Sequence, residues 1–89
     1  MPILFKRPNG SCTAYGPRVT VQVSMPERDR AEGVTITAGG TRYDYELDNA
    51  PTAEQVAAGT HAIAAQLQDD DRDELVAVLR LIEGGGNSV

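Results

Sequence analysis

The stretch VTITAGGTRYDYEL, Val34 to Leu47, decides the fold. Apolar and polar residues alternate on both sides of Gly39-Gly40. A period of two sends successive side chains to opposite faces of a sheet. The glycine pair supplies the positive φ angles that a two-residue hairpin loop requires. Counting outward from the loop pairs Ala38 with Thr41, Ile36 with Tyr43 and Val34 with Tyr45 on one face. The other face pairs Thr37 with Arg42 and Thr35 with Asp44. Apolar meets apolar and polar meets polar, and a slip of one residue would invert the match. The expectation is a strand pair over 34–38 and 41–47, with Tyr43 and Tyr45 facing the core.

Upstream, Arg18 to Met25 alternates with Val19, Val21, Val23 and Met25 on one side, a β-branched pattern typical of strands. Pro26 ends it, and Glu27 to Gly33 reads as a charged loop. Ile3 to Arg7 and Ser11 to Tyr15 flank Asn9-Gly10, a strong hairpin signal. These runs predict an antiparallel β-meander of about four strands.

Downstream the period changes. Thr52 followed by Gln55 is a capping box. Val56, Thr60, Ile63 and Leu67 then fall at helical spacing, so one helix is expected over 53–68, weakened by Gly59. Asp69 to Asp73 reads as the cap of a second helix over about 72–83, with Leu75, Val78, Leu79 and Ile82 on its apolar side. Gly84 reads as its stop. Strands first and helices after is an α+β order. The expected architecture is a C-terminal helical hairpin packed on one sheet face. One domain covers 1–83 and a flexible tail covers 84–89. Val21, Val23, Ile36, Val56, Ile63, Leu67, Leu75, Leu79 and Ile82 are the expected core.

The chain has 89 residues, which bounds it to one small domain with little room for a deep enclosed site. Aromatic residues are only 4%, with no Trp, so the core must be aliphatic. No apolar run approaches the ~20 residues of a membrane span. The N-terminus puts Lys6 and Arg7 after its apolar residues, the reverse of a secretory signal. The chain reads as a complete cytoplasmic protein. Cys12 is the only cysteine, which rules out an internal disulfide and a thiolate zinc cluster.

The net charge is −5 and unevenly distributed. Residues 1–30 carry five bases (Lys6, Arg7, Arg18, Arg28 and Arg30) against two acids. Residues 31–89 carry three bases against eleven acids. The acidic half repels nucleic-acid phosphates and favours basic partners. Lys6, Arg7, Arg18, Arg28 and Arg30 lack the aromatic interleaving of a nucleic-acid surface and read as internal charge balance.

The acidic run Asp69-Asp70-Asp71-Arg72-Asp73-Glu74 matches the first three ligand positions of an EF-hand loop. It then places Glu74 where Gly belongs and Arg80 where the closing Glu belongs, so calcium is not expected. Asp44, Glu46 and Asp48 alternate along one strand face and read as a solvated acidic edge. His61 has no second histidine with which to hold a metal. A Cys12–His61 nucleophile–base pair has nothing in the sequence to bring it together. No catalytic residue, metal ligand or cofactor is assigned.

In size, acidity and simple layout the chain is similar to small accessory proteins of phages and mobile elements, including anti-CRISPR inhibitors that occupy nucleic-acid grooves. That likeness implies a non-enzymatic module that binds a basic protein surface and spares duplex nucleic acid and membranes. Its binding residues would be Asp44, Glu46, Asp48, Asp69, Asp70, Asp71, Asp73 and Glu74. The alternative is a phage-type structural or assembly subunit acting by homo-oligomerisation.

Overall fold

The structure, a computed structural model, describes residues 2–8, 10–25 and 32–84. Five strands run in sequence order: β1 (Ile3–Lys6), β2 (Cys12–Tyr15), β3 (Val19–Ser24), β4 (Gly33–Ala38) and β5 (Thr41–Tyr45). They form one antiparallel meander in the order β1-β2-β3-β4-β5. The N-terminal hairpin joins the sheet fully, which raises the strand count from about four to five. The β4–β5 register is the one the alternation requires, with Ile36 opposite Tyr43 and Val34 opposite Tyr45. Gly39 and Gly40 adopt φ of 59° and 83°, as that loop demands.

Two boundaries differ from expectation. Gly33 belongs to β4 and pairs with Ser24, so β4 starts one residue before the expected strand. β5 ends at Tyr45, and Leu47–Asn49 form a 3-10 turn. Asp48 therefore leaves the strand, and of the three alternating acids only Asp44 lies on β5.

The helical region is three pieces: α1 (Ala53–Ala58), α2 (Ala62–Gln66) and α3 (Asp69–Glu83). The Thr52–Gln55 capping box is present in both directions, at 3.0 and 3.1 Å. The single helix expected over 53–68 breaks at Gly59, which takes φ of 74° and caps α1 in the left-handed conformation. His61 then restarts the chain by accepting the Ile63 N–H on its side chain. Thr60, placed on an apolar stripe by spacing alone, is exposed between the pieces. α3 starts at Asp69, a turn earlier than expected. Gln68 is its N-cap without a side-chain bond, and Asp69, Asp70 and Asp71 occupy its first turn, where negative charge is favoured by the positive end of the helix dipole.

The three helices cover one sheet face. Ala14, Val19, Val21, Val34, Ile36 and Ala38 from the sheet meet Val56, Ile63, Leu75, Val78 and Leu79 in one buried cluster. Val23, Leu67 and Ile82 pack on its margin and are only partly buried. Glu83 closes the helical layer by accepting the Ala53 N–H at 2.8 Å, which ties the end of α3 to the start of α1. Residues 85–89 of the expected tail lie outside the described residues.

Candidate functional site

The eight acids singled out by sequence do not form one surface. α3 presents successive residues in different directions, and the residues three apart at 71 and 74 share a face. That face meets the β2–β3 turn. Glu74 Oε2 accepts the backbone N–H groups of Arg18 and Val19 at 2.6 and 2.5 Å. Asp71 is 5% exposed, and its Oδ1 lies 3.3 Å from Arg18 Nε. That contact is ionic without hydrogen-bond alignment, and the longer Arg18 Nη2–Oδ2 contact of 3.5 Å completes the pair. Both carboxylates thus turn toward the fold and clamp α3 to the sheet, so Asp71 and Glu74, two of the expected partner-binding residues, are engaged within the fold. The run alone could not show this, because the turn they clamp is more than 50 residues away in sequence.

The remaining acids are exposed at the two ends of β5. Asp69, Asp70 and Asp73 surround the start of α3, and Asp69 pairs with Arg72 at 3.2 Å. Glu46 and Asp48 lie past the other end of β5. Among the described residues Glu46, Asp48, Asp70 and Asp73 have no ion-pair partner. β5 itself, five residues long, runs about 15 Å from one end to the other. Asp44 sits between them on the helix-free face, accepting from Thr35 Oγ1 at 2.8 Å and Arg42 Nε at 3.2 Å. The Thr35 hydrogen bond, followed by the Arg42 contacts, holds the Asp44 carboxyl below its ordinary range.

α2 lines the helix side of the same edge. At one end His61 Nε2–H donates to the Asn49 carbonyl at 3.1 Å while Nδ1 accepts from the Ile63 N–H at 3.2 Å. A carbonyl only accepts and an amide N–H only donates, so the ring is neutral with its proton on Nε2. Its edge meets the Tyr45 ring at 5.3 Å. His61 is thereby a capping residue, a role no histidine motif signals. At the other end a polar hollow of about 170 Å³ opens between Thr41, Tyr43, Gln66, Gln68 and the Arg18–Asp71 pair.

Cys12 and His61 are kept apart. Cys12 shares a cross-strand row with Val23, Val34 and Tyr45, so three strand spacings of ~4.8 Å each separate it from Tyr45, and His61 lies beyond. Burial pushes the Cys12 thiol up despite the nearby Lys6 charge, the opposite of an activated nucleophile. Among the described residues no three His, Cys, Asp or Glu side chains converge as metal ligands, and no helix is long and apolar enough to cross a membrane. Compared with protein-family models, curated proteins and solved structures, the chain matches none.

Proposed function

We propose that this chain is a non-enzymatic binding module, an inhibitor of the anti-CRISPR-like kind, that engages a basic groove of a partner protein through the β5 edge. The observation that carries the reading is the pair of acidic groups without ion-pair partners among the described residues, Glu46 with Asp48 and Asp70 with Asp73, toward opposite ends of one edge strand. Two separated negative clusters present repeated negative charge, as a nucleic-acid backbone does, and basic grooves are built to receive such charge. Opposite charge raises association rates and aligns the complex, with a range of about 8 Å at physiological salt.

The binding set narrows to Asp44, Glu46, Asp48, Asp69, Asp70 and Asp73, since Asp71 and Glu74 are occupied within the fold. The test is competition. The protein is titrated against labelled nucleic acid bound to basic nucleic-acid-binding proteins of its host, at low and high salt. Displacement that fades with salt is expected. It is lost when Glu46, Asp48, Asp70 and Asp73 become Gln or Asn, with thermal stability unchanged. Failure to displace nucleic acid at low salt, or equal displacement by the neutralised variant, refutes the reading.

A further inference from the structure

The two edges of the sheet differ in chemistry. β5 carries Arg42 and Asp44 on its helix-free face, and charges of this kind blunt an edge against pairing. β1 carries Ile3 and Phe5 there, 56% and 60% exposed, and Tyr15 of β2 adds a third apolar side chain at 46%. Phe5 and Tyr15 stack edge to face at 5.7 Å, which holds the patch in a fixed shape. On the helix side, a groove of about 430 Å³ lined by Pro2, Ala77, Arg80 and Leu81 borders the same edge. Apolar surface therefore flanks β1 above and below, and no strand among the described residues pairs with its outer side.

The direction of the free backbone groups follows from the hairpin. Arg7 N–H donates to the Ser11 carbonyl at 2.8 Å, so that pair exchanges bonds within the hairpin. Bonded and non-bonded pairs alternate in an antiparallel ladder. Ile3 and Phe5 therefore bond inward to Tyr15 and Thr13, their partners. Leu4 lies between them and turns its N–H and C=O outward.

We propose that β1 is a self-pairing edge, where a second copy of this chain adds antiparallel with Leu4 opposite Leu4 across a two-fold axis, continuing the sheet through both molecules. In this register Ile3 faces Phe5 of the second copy, and Phe5 faces its Ile3. The two Tyr15 rings extend the strip outward on either side. Lys6 falls opposite Pro2 of the second copy, outside the apolar pairs. Shifting the register by one pair would set Phe5 on Phe5 but place Arg7 against Ile3 and Lys6 against Leu4. Shifting it the other way would pair Leu4 with Pro2, which has no N–H for the central ladder bonds, so the first register is the favoured one.

The area is consistent with a weak, specific dimer. Side chains of about 150–250 Å² at these exposures leave roughly 300 Å² per copy on the helix-free face. Adding the ladder and the groove brings the total over two copies to roughly 1,000–1,200 Å², the low end of specific interfaces. Interfaces of this size include weak and transient ones, so a dissociation constant in the micromolar range is expected. This surface is the opposite edge from the acidic one, so either proposal can fail alone.

The test is sedimentation equilibrium of the full chain from about 1 µM to 1 mM, a span that brackets such a dissociation constant. The mass should rise from 9.5 kDa toward twice that value. Phe5→Lys should abolish the rise. Leu4→Pro should do the same by removing the outward N–H, a change an edge strand tolerates. Asp44→Lys, on the other edge, should leave association intact. Mixing Phe5→Lys with Ile3→Glu should restore a mixed dimer, because the introduced charges face each other in the proposed register. A wild-type chain that stays monomeric throughout overturns the proposal, as does a dimer lost in Asp44→Lys but kept in Phe5→Lys. Absence of rescue in the mixture overturns the register.

Discussion

Gly16→Ala should destabilise this protein by evicting a carboxylate, and the same change should become favourable once that carboxylate is gone. A Cβ built on Gly16 would lie 2.5 Å from Glu74 Oε2 and 3.0 Å from its Cδ. Real side chains do not approach so closely, so the Glu74 head must leave. Leaving breaks its bonds to the Arg18 and Val19 N–H groups. Hydrogen bonds to charged groups contribute about 1.5–3 kcal/mol each, and water replaces part of that at an exposed turn, so a net loss of about 2 kcal/mol is expected. Backbone strain does not enter, because Gly16 has no positive φ. With Glu74→Ala as background the clash is absent. Gly16→Ala should then stabilise by about 0.4–1 kcal/mol, through the reduced freedom of the unfolded chain. The assay is urea unfolding of the four proteins in a double-mutant cycle, with unchanged m-values confirming a common native state. Equal effects of Gly16→Ala in both backgrounds would refute the Glu74 clamp.

Truncation should separate true core from margin. Leu79→Ala, in the buried cluster, should cost about 2–5 kcal/mol, whereas Leu67→Ala, half-buried at the end of α2, should cost about half as much or less in the same unfolding assay. Asp44 supplies a pH signature: its folded carboxyl titrates below the ordinary range, so its contribution is present above that range and is lost as pH falls through the folded value. Carboxyl NMR titration should show this, and both Thr35→Val and Arg42→Gln should move the midpoint upward.

Much of the architecture is written in local pattern. Strand alternation and the Gly39-Gly40 loop determine the β4–β5 register, because a slip would expose every core side chain of that hairpin. Thr52 and Gln55 determine where the helical region starts, since both partners of the capping box lie within one turn. The break at Gly59 was legible only in part. A glycine inside a helical pattern is tolerated or terminates the helix, and the choice depends on whether a new cap stands close behind it. Here His61 supplies that cap, using Asn49 to orient its ring, a contact twelve residues back in the chain. The division of the acidic set was not legible at all. Asp70 and Asp71 are adjacent and chemically identical, yet one is exposed and the other is buried against Arg18. Composition and local period describe which residues a helix carries. Which of its faces meets the β2–β3 turn is decided when α3 docks on the sheet, because burial of Leu75, Val78 and Leu79 sets the rotation of the helix. That rotation carries Asp71 and Glu74 inward and leaves Asp70 and Asp73 in solvent.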